Sequence, residues 1–68
     1  MDVKFCNNLK LARKEIGYTQ KEVAMQLGVV ESCYANWEQG RTEPSVEMLR
    51  NLGRILKIDI ETLINGDL

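Results

Sequence analysis

Five glycines and a single proline punctuate this chain of 68 residues. Gly17, Gly28, Gly40, Pro44, Gly53 and Gly66 leave pieces of roughly ten residues between them. Within the pieces, apolar residues recur three and four apart and do not alternate, which is the period of a helix. Phe5, Leu9, Ala12 and Ile16 share one face of a first helix, Val3 to Ile16, and Gly17 suits its end. Thr19 and Glu22 form the T-x-x-E of a capping box, so a second helix starts at Gln20 and runs to about Leu27, where Gly28 stops it. A third helix is expected from about Glu31 to Gln39, with Tyr34 and Trp37 inward. Arg41 to Pro44 is a loop, because the residue before a proline avoids the helical region. Ser45 caps a fourth helix, Val46 to about Leu56, with Leu49, Leu52 and Leu56 inward. Gly53 lies inside it at a propensity cost of about 1 kcal/mol, which close helix packing would explain. Asp59 is expected to cap a fifth, short helix from Ile60 to about Ile64. The fold class is therefore all-α, five helices in one domain over residues 1–68.

So short a chain buries only roughly 60% of its unfolded surface. Its apolar fraction of 44% still excludes disorder. There is no histidine, and Cys6 and Cys33 stand far apart, so neither a zinc site nor a nucleophile with its base can be assembled. No metal, cofactor or small-molecule ligand is expected, and the chain does not read as an enzyme. Isolated cysteines read as reduced thiols in a cytoplasmic protein. No apolar run approaches the ~20 residues of a membrane span, and the opening MDVKFCNN lacks the basic-then-apolar order of a signal peptide.

The second and third helices meet at Gly28 with few residues between them. A steeply crossed pair of this kind needs small or turn-permissive residues at the crossing. Ala24 and Gly28 supply them, and Val29, Tyr34 and Trp37 give the third helix its apolar underside. The run TQKEVAMQLGVVESCYANWEQGRTEPS resembles the helix-turn-helix proteins of the phage-repressor and Cro type, also called the xenobiotic-response-element type. Arg13 and the closing IDIETLING extend the resemblance over nearly the whole chain.

That resemblance implies the lambda-repressor-like fold and binding of double-stranded DNA. It places Glu31, Ser32, Ala35 and Asn36 where the third helix reads base edges in the major groove. It places Gln20, Arg41, Thr42 and Ser45 along the phosphates, where the charge of Lys21 can also flank the groove, and pairs Arg13 with Glu38 in a partly buried ion pair. Two departures stand out. Val30 occupies the cap position of the third helix, where Ser or Thr is usual, and valine cannot cap. The reading helix opens on Glu31 and carries no Lys or Arg, in a chain of net charge −1.

Affinity and selectivity come from different contacts, so cations elsewhere can serve. Between residues 10 and 21, Lys10, Arg13, Lys14 and Lys21 face Glu15 alone; Lys10 and Lys14 also fit a plain solvated face. Glu31 can accept from cytosine N4, Asn36 can pair with adenine, Ser32 suits either, and Ala35 can touch a thymine methyl. Glu31 equally suits a helix N-terminus with no role in reading. A single reading helix spans few base pairs, so a homodimer on an inverted repeat is expected. Ile60, Leu63, Ile64 and Leu68 are its candidate contact; closure of the monomer core is the other use for them. The function expected is that of a dimeric transcriptional repressor occupying an operator. The rival is a protein-interaction module, an antitoxin or adaptor, in which DNA contact is weak or lost.

Overall fold

The computed structural model describes residues 2–68. Five helices follow one another: α1 (Val3–Ile16), α2 (Gln20–Leu27), α3 (Glu31–Gln39), α4 (Val46–Leu56) and α5 (Ile60–Asn65). No strand occurs among the described residues. Each helix starts and stops for a local reason. The Asp2 carboxylate accepts from the Phe5 amide and opens α1, a cap that the periodicity of the sequence left out. Thr19 and Glu22 make both bonds of the capping box, at 3.0 and 2.9 Å. The Ser45 hydroxyl accepts from the Met48 amide at 3.1 Å and opens α4. Asp59 holds the cap position of α5 but makes no side-chain bond there, so the expected cap is corrected to an uncapped start.

Gly28 closes α2 at φ +76°, and a side chain there would meet nothing within 4 Å. The backbone angle, not crowding, therefore demands glycine at this turn. Gly53 is the opposite case. Its φ is unexceptional, but a Cβ would stand 2.9 Å from the Ile58 carbonyl oxygen. The chain passes that close because α4 reverses at Lys57, a left-handed residue at φ 56°, and Ile58 donates back to the Gly53 carbonyl at 2.9 Å. The close packing that Gly53 allows is thus against its own following turn and Ile60.

The core collects one face from every helix. Phe5, Leu9, Val23, Ala24, Tyr34, Leu52 and Leu63 are at most 1% exposed, and Trp37, Leu49 and Leu56 close the edges. Tyr34 and Trp37 meet edge-to-face with centroids 5.9 Å apart. Such a pair adds about 0.5–1.5 kcal/mol beyond its buried area. Both aromatic rings therefore belong to the core. α3 packs on α1 and α2, while α5 closes the bundle against α1 and α4.

Asn8 is the polar residue that makes this closure specific. It is 3% exposed, and its Nδ2 donates to the carbonyls of Leu63 at 3.1 Å and Gly66 at 2.8 Å, with a longer approach to Thr62 at 3.4 Å. One amide thereby satisfies carbonyls that the end of α5 leaves without helical partners. Near it, Lys4 and Asp67 pair at 2.8 Å on the surface. Each shifts the other toward its charged form through that hydrogen bond, raising Lys4 and lowering Asp67.

Candidate nucleic-acid interface

The third helix has two sides with different duties. Inward, Tyr34 and Trp37 enter the core and Glu38 enters a polar cluster. Outward, Glu31 and Ser32 are exposed and Ala35 and Asn36 are half-buried. Those four, expected from the sequence to read bases, share the outward side. None makes a side-chain hydrogen bond among the described residues. Val30 makes no side-chain cap, so α3 begins without a side-chain acceptor for its first amides and with Glu31 in its first turn. Val30 is 69% exposed and already extended, at φ −72° and ψ 152°. Val30→Ser therefore needs no backbone change, and thermal unfolding should show a gain of about 1 kcal/mol.

The polar cluster fixes the angle at which α3 is presented. Arg13 reaches from α1 to Glu38, with Nε to Oε2 at 2.7 Å and Nη2 to Oε1 at 3.3 Å. Arg13 Nη1 also donates to the Tyr18 carbonyl at 2.9 Å, which ties the α1–α2 connection into the same cluster. Gln20 Nε2 donates to Glu38 Oε1 at 2.9 Å, and the Tyr34 hydroxyl donates to Oε2. One carboxylate thus gathers donors from α1, α2 and its own helix. The paired side chains are 10% exposed for Arg13 and 3% for Glu38.

The electrostatics follow from that crowding. Burial works against the Glu38 charge, yet hydrogen bonds from Arg13, Tyr34 and Gln20 outweigh it and hold the carboxyl below its usual range. The hydrogen bond to Glu38 raises the Arg13 guanidinium, against a smaller opposing effect of burial. Burial, then the hydrogen bond to Glu38, pushes the Tyr34 hydroxyl far above the ordinary phenol range. At neutral pH the cluster is a charged pair with two neutral donors.

The flanking candidates are distributed as follows. Lys21 is exposed in the first turn of α2. Arg41 and Thr42 are exposed in the loop after α3, and the Arg41 amide donates to the Asn36 carbonyl at 2.9 Å. Ser45 is exposed at the start of α4, with its hydroxyl engaged in the cap. Gln20, read from the sequence as a phosphate contact, has one amide hydrogen committed to Glu38 and is half-buried. That tie was not legible in the sequence, since nothing local to Gln20 marks a partner on α3.

At the other end of the molecule, Leu63 is corrected from the two-fold contact expected of it. It is 0% exposed and completes the monomer core, because α5 turns that residue between α1 and α4. Ile60 and Ile64 are half-buried against the same core, and Leu68 is 53% exposed.

Comparison with known proteins places this arrangement. The family profile described as helix-turn-helix matches residues 9–63, most of the chain and all of the α2–α3 pair. The chain belongs to the helix-turn-helix family. Its five-helix fold is similar to that of solved DNA-binding domains. The N-terminal DNA-binding domain of SinR from Bacillus subtilis superposes with a TM-score of 0.84 at 28% identity, covering 94% of each chain. The DNA-binding domain of the P22 c2 repressor superposes with a TM-score of 0.88, also at 28% identity, over 100% of this chain and 91% of that one. In sequence, this helix-turn-helix chain is 35% identical over 63 residues to the uncharacterized regulator YqaE of Bacillus subtilis. That alignment covers 93% of this chain and 54% of YqaE. The chain spans about half the length of the curated relatives it matches. No helix among the described residues is long and apolar enough to cross a membrane.

Proposed function

We propose that this helix-turn-helix domain binds double-stranded DNA sequence-selectively, with α3 in the major groove, and regulates transcription as a homodimer on an inverted repeat. Repression by covering an operator is the mode that a domain of this kind performs without further machinery. The observation that carries the reading is the division of labour on α3. Its inward side is locked to α1 and α2 through Glu38, while Glu31, Ser32, Ala35 and Asn36 stand outward without internal hydrogen bonds. A reading element needs both properties, a rigid mount and unspent donors and acceptors.

In this reading Gln20, Lys21, Arg41, Thr42 and Ser45 line the phosphates. Gln20 keeps one amide hydrogen and its oxygen for that purpose. Lys21 and Arg41 supply about four ionic phosphate contacts per dimer, so the logarithm of affinity should fall against that of salt with a slope of about −4. Glu31 selects cytosine by accepting from N4, and Asn36 selects adenine. Binding is then selective but modest per protomer, because Glu31 repels phosphate.

Selection of bound duplexes from a random pool, at two salt concentrations, tests this. An enriched inverted repeat with half-sites about one helical turn apart is the expected outcome. Repeating the selection with Glu31→Ala should relax one position in each half-site, with a loss of discrimination of about 1–3 kcal/mol. An unchanged preference would reduce Glu31 to a helix-start residue.

A second reading is favoured by one feature, the absence of any cation on α3 together with a net charge of −1. Here the same exposed face docks a protein, as in an antitoxin or adaptor. Weak binding that vanishes at moderate salt, with no enriched sequence, would select it.

A further inference from the structure

Two grooves of about 520 and 500 Å³ adjoin along α1 and share Leu11 and Leu68. Glu15 and Lys57 line one of them, so its charges balance. The other does not balance. Lys4, Lys10 and Lys14 line it, and Asp67 is its single acidic side chain. Asp67 is already taken by Lys4, at 2.8 Å. Lys10 and Lys14 are exposed and stand in no ion pair among the described residues. They lie about one helical turn apart, a spacing at which like charges repel each other. The charge sits beside apolar surface, because Leu11 is 47% exposed and Leu68 53%. Lys4, Asn7, Leu11 and Lys14 follow at intervals of three and four, which sets them on one ridge of α1. From Lys4 to Lys14 that ridge rises about 15 Å, close to three turns of helix.

We propose that this ridge docks an acidic amphipathic helix of a partner protein. Its carboxylates meet Lys10 and Lys14, and its aliphatic side rests on Leu11 and Leu68. Charge complementarity selects that occupant. A row of carboxylates supplies the anions that the chain itself does not bring to Lys10 and Lys14, and a helix laid along a groove covers the aliphatic pair at the same time. A second copy fits poorly, since a two-fold contact sets a patch against itself and would bring lysine to lysine. A nucleic-acid backbone would engage the lysines and leave Leu11 and Leu68 in water. No residue lining either groove belongs to α2, α3 or the loop after α3. The docked helix therefore covers nothing on α3, and the chain can carry this partner whatever α3 holds.

The test is a selection, against the full chain, from a displayed library of helical peptides about as long as α1. The expected winners carry Asp or Glu together with aliphatic residues at helical spacing, and their binding shifts the amide resonances of Asn7, Lys10, Leu11, Lys14 and Leu68. Lys10→Gln/Lys14→Gln should weaken that binding about tenfold. Leu11→Gln should weaken it as well, with helix content unchanged by circular dichroism. Replacing the acids of a winning peptide by lysine should abolish its binding to the parent and restore binding to Lys10→Glu/Lys14→Glu, an exchange that no folding defect would mimic. A pool without acidic winners, winners that shift α2 or α3 instead, or binding that the lysine variants leave unaltered would overturn the proposal. Capture by phosphatidylglycerol vesicles that is lost in Lys10→Gln/Lys14→Gln, with no acidic peptide enriched, would overturn it in favour of a membrane surface. A shallower salt dependence of duplex binding in Lys10→Gln/Lys14→Gln would give the two lysines to DNA phosphate and overturn it likewise.

Discussion

Arg13→Met is expected to lower the unfolding free energy by about 3–5 kcal/mol, measured by urea denaturation at neutral pH. The substitution keeps the aliphatic stem and removes the only cation bonded to Glu38 among the described residues. Glu38, with a side chain 3% exposed, is then left as a buried carboxylate served by Tyr34 and Gln20 alone. For a chain of 68 residues total stability is about 3–10 kcal/mol, so the loss is comparable to the whole. Arg13→Met/Glu38→Gln should be more stable than Arg13→Met. The amide oxygen still accepts from Tyr34, and no buried charge is stranded. A double variant less stable than the single would mean that the carboxylate is not the source of the penalty.

The same cluster sets the response to acid. Glu38 is held below its unfolded value, so its stabilisation is complete above about pH 4.3 and is lost as pH falls through its lower folded value. The parent chain should therefore lose stability on acidification. In Arg13→Met the carboxyl has lost its charged partner, so the gap between parent and variant should narrow across that range. A gap of constant size from pH 7 to pH 3 would argue against this origin.

Asn8→Leu is the second large effect expected, a loss of about 2–3 kcal/mol. Leucine fills much the same volume but leaves the Leu63 and Gly66 carbonyls without their donor. Asn8→Asp should be worse, since it turns an acceptor toward carbonyl oxygens. Amide exchange locates the damage: protection should fall first across residues 60–66, with α2 and α3 retaining theirs until global unfolding. Uniform loss of protection would mean that α5 has no separate dependence on Asn8.

These two clusters differ in how far the sequence disclosed them. The helix boundaries were legible because capping is local. Thr19 with Glu22, Ser45, and the glycines at 17, 28 and 40 act within a few residues of themselves. Val30 was legible for the same reason, as a residue unable to do what its position asks. Asp59 shows the limit of that reasoning, since a capping residue in a capping position makes no cap bond. Lys57 shows it again, adopting a left-handed turn with nothing in its identity to announce it. Asn8 was not legible at all. Its partners lie more than fifty residues away, and an asparagine on a helix normally reads as surface. Arg13 and Glu38 came from family likeness, but the convergence of Tyr34 and Gln20 on the same carboxylate is a product of tertiary packing. Leu63 belonged to a run of aliphatic residues too rich for one short helix, and only the packed bundle divides that run between interior and exterior.

The separation of the two sides of α3 has a consequence for how such a domain diversifies. Glu31, Ser32, Ala35 and Asn36 take no part in holding the bundle together through side-chain hydrogen bonds, and at the two exposed positions, Glu31 and Ser32, substitutions usually change stability by no more than about 0.5 kcal/mol. Drift at these sites is close to neutral for folding, while Arg13, Tyr34 and Glu38 tolerate almost none. In the DNA-reading role proposed above for these positions, a lineage can therefore pass through many alternative target preferences without crossing an unfolded intermediate. The mount is inherited intact and the lettering on its outer face is free to be rewritten, one position at a time.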